Sequence, residues 1–256
     1  MGDVAVTRMQ VEGGDVARVV IDRSDKLNAL DSPLIAKVTE AFEGLASDAA
    51  LHAVVLDGAG DKAWVGGADI KEMAGLSAGT AADFITRLHL AMRAVRDLPA
   101  PVIARLDGYA LGAGMELAAA CDMRIASTNA HFGMPEVQVG LPSVIEASLL
   151  PRLMGLGRAV RLMLTGEVIN AERAYEWGFV EEVVAPDVLD TAVETALGHL
   201  CRAGIQAVRA QKRLHRHWEG VSPDQAAEDS VQVFAESYAS GEPTERLGAF
   251  VNRPRA

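Results

Sequence analysis

The chain has 256 residues, half of them hydrophobic, which is enough to bury a substantial core in one large domain. Its formal charge of −11 excludes a broad phosphate-neutralising face, so nucleic acid is not an expected partner and any anionic ligand must be met locally. Its two cysteines lie outside any Cys-x-x-Cys pair, no basic leader precedes an apolar run, and no stretch approaches the ~20 apolar residues of a membrane span; a reduced, cytoplasmic, membrane-free setting is expected.

Short β-branched runs bounded by Gly, Asp or Asn predict strands near 16–21, 52–56, 102–106 and 123–126. Between the first two, Ser32-Pro33 supplies an N-cap and a first-turn proline, after which Leu34, Val38, Phe42 and Leu45 recur at helical spacing. A second helix is predicted over about 81–97, with Leu88, Met92 and Val95 on one face and Pro99 just beyond its end. After about residue 155 strand signals thin out and helices follow at 158–164, at 171–177 before Gly178, and from 188 onward. Beyond 205, Val208, Leu214, Trp218, Val231, Phe234 and Phe250 are scattered through charged sequence, so that tail must cover an apolar face with the core or with a partner subunit. No fixed-period repeat is visible.

Two glycine-rich turns each follow a strand-like run: Val65-Gly66-Gly67-Ala68-Asp69-Ile70, and the stretch 108–116 ending Gly112-Ala113-Gly114-Met115-Glu116. Small residues let backbone N–H groups approach a ligand, and the helix former that follows places the Ala113 N–H near a helix N-terminus, where negative charge is favoured. Such turns also serve tight packing alone. A dinucleotide fingerprint starting at Gly112 fails at Leu117, and Gly66 is followed by Gly67 without the lysine of a phosphate loop.

Glu116 stands in an apolar run where a carboxylate is costly to bury without purpose or partner, and Glu136 follows Pro135 in a loop-like stretch. Two carboxylates in one pocket suit acid–base chemistry on a neutral substrate, although sequence spacing alone does not bring them together. His215 and His217 diverge on a helix, so no metal site is assigned, and Ser143 lacks the Gly-x-Ser-x-Gly setting of a nucleophile.

In order, Asn28-Ala29-Leu30-Asp31, the stretch 63–73, Pro101-Val102-Ile103-Ala104, the stretches 108–122 and 132–140, Leu164-Thr165-Gly166-Glu167 and Trp177-Gly178-Phe179-Val180 resemble the crotonase (enoyl-CoA hydratase/isomerase) superfamily. The resemblance implies an α/β fold with a ββα-spiral core over 1–190 and a helical C-terminal trimerisation region over 191–256, assembled as a homotrimer or a dimer of trimers. It implies an oxyanion hole built from the N–H groups of Ala68 and Ala113, and the two hydratase glutamates at Glu116 and Glu136. Ala68, Asp69, Ile70 and Lys71 match the segment that holds acyl-CoA; Arg23, Lys26 and Lys71 are expected beside the CoA phosphates and adenine; Phe250 and Arg253 match positions that complete a CoA site. Coenzyme A enters as part of the substrate, and no further cofactor is called for.

The implied activity is hydration of a 2-enoyl-CoA, with a double-bond isomerase, a hydratase of a functionalised acyl group and a silent acyl-CoA binder as alternatives. One departure is plain: where many hydratases are glycine-rich after the second glutamate, this chain reads Leu141-Pro142-Ser143-Val144-Ile145-Glu146-Ala147-Ser148. Glu146 either caps or salt-bridges the following helix or brings a third carboxylate near the thioester.

Overall fold

The computed structural model describes residues 2–252. It opens with an antiparallel hairpin of β1 (Asp3–Val11) and β2 (Gly14–Asp22), followed by helix α1 (Ser32–Ala46). Three passes of the chain then repeat one path, each laying a strand in a six-stranded sheet, then a short strand in a four-stranded sheet, then helix or turn. The first pass is β3 (Leu51–Gly58), β4 (Ala63–Val65), α2 (Ile70–Met73) and α3 (Ala78–Asp97); the second is β5 (Val102–Leu106), β6 (Tyr109–Leu111) and α4 (Ala113–Ala120). The third is β7 (Met123–Ser127) and β8 (His131–Gly133), followed by 3-10 turns at Pro135–Val139 and Ile145–Leu149 and helices α5 (Leu150–Met154) and α6 (Leu156–Thr165). Then come β9 (Val168–Asn170), α7 (Ala171–Trp177), β10 (Glu182–Val184), and four helices, α8 (Leu189–Arg202), α9 (Ile205–Trp218), α10 (Pro223–Ser237) and α11 (Glu242–Val251).

The large sheet runs β1-β2-β3-β5-β7-β10 and the small one β4-β6-β8-β9; only β1 with β2 and β8 with β9 pair antiparallel. Both faces of the large sheet's central strands are covered, which explains why β3, β5 and β7 read as nearly continuous apolar runs. Val54, Leu56, Val102 and Ala104 join the main core on one face, while Val16, Ala53, Val55, Ile103 and Ile125 pack on the other against Leu189, Val193 and Leu197 of α8. The boundary expected near residue 190 therefore falls inside a helix that completes the core. Helices that bury little on their own chain begin at Ile205.

The strands β4, β6, β8, β9 and β10 are absent from the sequence reading because three residues are too few to show a period, and β1 because its residues are mostly exposed. Two helix starts also differ. Asp31, one residue before Ser32, caps α1 by accepting the Leu34 N–H at 3.0 Å, while the Ser32 hydroxyl donates to Glu72. Helix α3 starts at Ala78 behind a Ser77/Thr80 capping box, three residues earlier than periodicity alone indicates.

The last helices are tied down through exposed helix ends. Glu242 accepts the N–H groups of Gln206 and Ala207 at the start of α9, where Gly204 offers no capping side chain, and Arg246 donates to the carbonyls of Arg202 and Ala203. Buried Lys212 donates to Asp122 and to the Ala100 carbonyl. Among the described residues no helix is long and apolar enough to cross a membrane.

Asn28 fixes the loop beneath the first glycine turn. Its side-chain amide donates to the carbonyls of Ala59, Ala63 and Trp64, its carbonyl oxygen accepts the Arg23 N–H, and its φ of +54° is one that asparagine tolerates. Asn28→Ala strands buried carbonyls, so the unfolding free energy should fall by roughly 2–3 kcal/mol in urea titrations; a loss under ~0.5 kcal/mol contradicts this role.

Candidate active site

Three parallel neighbours in the small sheet, β4, β6 and β8, release the chain at the same end, and each release carries part of the site. From β4 the chain runs through Gly66 and Gly67 to Ala68. Backbone bonds from Leu30 N–H to Gly67 O (2.8 Å), Gly66 N–H to Leu27 O (2.8 Å) and Asp69 N–H to Leu30 O (2.9 Å) clamp this turn on both sides of Ala68. Asp69 then caps α2, accepting the N–H groups of Lys71 and Glu72.

Arg23 belongs to this bracing. It is 15% exposed and its guanidinium is committed to Asp69 (2.7 Å), Asp31 (3.0 Å) and the Ala29 carbonyl (2.9 Å). The hydrogen bond from Arg23 holds the Asp69 carboxyl below the usual carboxylate range. Arg23, expected beside the CoA phosphates, is held here by these three protein partners. Asp69 likewise turns its carboxylate to a helix end and an arginine.

From β6 the chain turns at Gly112, whose φ of +51° and ψ of −119° only glycine adopts readily. A Cβ there would lie 2.3 Å from Glu136 Oε1. Helix α4 begins at once, and Gly114 lets it approach β4 so closely that a Cβ would stand 2.0 Å from the Val65 carbonyl. This contact fixes the two turns against each other. Among the described residues no hydrogen bond takes the N–H of Ala68 or of Ala113.

Every residue of α4 is buried, and Glu116, in its first turn, is 4% exposed. From β8 the chain passes through Pro135 to Glu136, half-buried on the same cavity. The segment after Glu136 returns to support both carboxylates: the Ser143 hydroxyl donates to Glu136 Oε2 (3.0 Å), and the Ala147 N–H donates to Glu116 Oε1 (3.1 Å). Burial, then the neighbouring Glu136 charge, pushes the Glu116 carboxyl up to about 8, against the pull of the Ala147 N–H. Burial also raises Glu136, opposed by hydrogen bonds to its own N–H and Ser143. Both carboxyls therefore hold a proton more tightly than an exposed glutamate does, Glu116 the more so because the Glu136 charge adds to its burial.

The cavity, about 740 Å³ out to its open mouth, is lined by Ala68, Ala113, Glu116 and Glu136 together with apolar side chains, among them Met73, Ile85, Leu88 and Val144. Ile70 also lines it; Lys26 and Lys71 are exposed. Phe250 is an exposed residue of α11, and Arg253 lies outside the described residues. Such a site can receive an oxygen that gains negative charge on its two unpaired N–H groups while the carboxylate pair moves a proton.

Ser143 and His89 were missed by sequence reasoning. Ser143 was judged only as a nucleophile, and His89 carries no local signal because its partner, Glu146, lies 57 residues away. Glu146 makes no helix cap; it bonds His89 on α3.

A model of the enoyl-CoA hydratase/isomerase family matches residues 12–255. The crotonyl-CoA hydratase of Syntrophomonas wolfei is 36% identical over 242 residues, covering 94% of this chain and 93% of its own. The short-chain-enoyl-CoA hydratase of Clostridium acetobutylicum is 35% identical, covering 94% and 92%. Among solved structures, an enoyl-CoA hydratase from Mycobacterium smegmatis superposes with a TM-score of 0.92 at 33% identity, over 98% of both chains.

Raising the Glu116 carboxyl from 4.5 to about 8 means that folding favours its neutral form, so the stability it contributes in acid is lost as pH rises through about 8. Glu116→Gln, permanently neutral, should match wild type near pH 5 and exceed it at pH 9 by roughly 3 kcal/mol. Thermal melts at the two pH values check this; an advantage that does not grow with pH contradicts it.

Proposed function

This chain belongs to the enoyl-CoA hydratase/isomerase family, and we propose that it adds water reversibly across the 2,3 double bond of a short-chain 2-enoyl-CoA thioester. The observation that carries the reading is the pair of carboxylates, one buried and one half-buried, both with raised proton affinity, lining one cavity with Ala68 and Ala113. A double-bond isomerase has no need of two.

The thioester carbonyl lies on the N–H groups of Ala68 and Ala113, which stabilise the oxygen as it becomes enolate-like; one such donor contributes about 10²- to 10³-fold in rate. Water sits between the carboxylates. In the hydration direction Glu116 is ionised and Glu136 protonated: Glu116 takes a proton from the water, the hydroxide oxygen bonds C3, and Glu136 delivers its proton to C2 as the enolate collapses. The step ends with Glu116 protonated and Glu136 ionised. Burial favours that state in the free site, and the next water relays the proton back to Glu136. Atoms and charge balance without a resident cofactor.

Apolar Met73, Ile85, Leu88 and Val144 suit an aliphatic acyl group. Exposed Lys26 and Lys71 are free to meet the CoA phosphates at the mouth, with Phe250 and Arg253 as further contributors from the C-terminal segment. Val231 and Phe234 of α10, and Leu247 and Val251 of α11, are exposed, which fits a homotrimer or dimer of trimers in which a neighbouring copy covers them.

Crotonyl-CoA should lose its conjugated-thioester absorbance on addition of enzyme. Glu116→Gln and Glu136→Gln should each lower kcat by about 10²- to 10⁴-fold with little change in binding. No loss of absorbance with wild type, or equal losses of binding and turnover in the variants, contradicts two-carboxylate hydration. Because the pair needs exactly one proton, kcat/KM should also decline as pH rises through about 8. A wild-type profile flat to pH 10 contradicts the shared proton.

A further inference from the structure

Glu146 is 3% exposed and takes no part in the chemistry above. Both its oxygens face one atom, His89 Nδ1, at 2.9 and 3.2 Å. His89 stands on α3, next to Leu88 of the cavity wall, and its side chain is 44% exposed. With both carboxylate oxygens as acceptors, the ring donates through Nδ1–H.

The residues beside Glu146 give this bond its significance. Ile145 has a φ of +41°, a left-handed conformation that costs a β-branched residue ~1–3 kcal/mol and persists only where the surroundings enforce it. Ala147 gives its N–H to Glu116, and Ser143 gives its hydroxyl to Glu136. One five-residue segment therefore supports both carboxylates and is strained in its middle. Apart from those carboxylates, the side-chain bond that ties it to another element is Glu146 to His89.

Resting on the hydratase reading, we propose that Glu146 and His89 are positioning residues for hydration: they clamp segment 143–147 to α3 and so hold the two bonds that orient Glu116 and Glu136. Released, Ile145 relaxes towards an ordinary φ and carries the Ala147 N–H away from Glu116. The Glu146 charge also adds to the proton affinity of Glu116, in the same direction as Glu136. Neither residue lines the cavity.

The test uses His89, whose partial exposure lets it be replaced without disturbing the core. His89→Leu removes the donor, and His89→Asn restores an N–H near the Nδ1 position. With crotonyl-CoA, His89→Leu should lose about 10- to 10²-fold in kcat, as expected for a displacement near 1 Å, with KM within about threefold of wild type, and His89→Asn should recover most of the loss. Hydrogen–deuterium exchange over 143–149 should quicken in His89→Leu and return towards wild type in His89→Asn. The exchange measurement needs no turnover, so it tests the clamp even if wild type fails to hydrate crotonyl-CoA, an outcome that would count against the hydratase reading alone. Unchanged exchange in His89→Leu, or kcat within about twofold of wild type, overturns the proposal.

Discussion

Two carboxyls that both resist ionising face one cavity, and the rest of this site is arranged around that constraint. Glu116 is enclosed by a helix with no exposed residue, and Glu136 stands across the turn at Gly112. Neither has a cationic partner among its hydrogen bonds, whose donors are backbone N–H groups and one hydroxyl. An arginine there would ionise both carboxylates and leave no acid. Arg23 is bound to Asp31 and Asp69, where it braces the loop, and among the described residues it makes no hydrogen bond to either glutamate.

The small sheet brings the parts together. Because β4, β6 and β8 are adjacent and parallel, the chain leaves all three at one end, and the two glycine turns and Glu136 meet without long loops. The central strands of the large sheet, covered on both faces, back that end. Close approach is decided at Gly114 against Val65, and two positions of unusual backbone, Gly112 and Ile145, stand next to residues that carry or support the carboxylates.

Much of this was legible in the sequence. The four central strands of the large sheet, β2, β3, β5 and β7, and the helices α1 and α3 show because their apolar runs span several residues, and the glycine turns with Glu116 and Glu136 show as ordered motifs. The small sheet did not show, since three-residue strands carry no period, although the site depends on it. Arg23 was expected beside the CoA phosphates, and its bonds to Asp31 and Asp69 carried no sequence signal, since only the fold brings Asp69 across from 46 residues away. The 141–148 stretch stood out as a departure from glycine, but its consequence could not be seen because His89 lies on a distant helix. Long-range polar pairing is the part of a fold that local pattern conveys least.

The shared proton can be observed directly by titrating carbon-13-labelled glutamate side chains by NMR in the free enzyme, with Glu116→Gln and Glu136→Gln to assign the two signals. One carboxyl of the pair should remain protonated at pH 7, with a midpoint near 8 for Glu116 that falls when Glu136 is made neutral. Two ordinary carboxylates, both ionised by pH 6 and indifferent to each other's replacement, would contradict it.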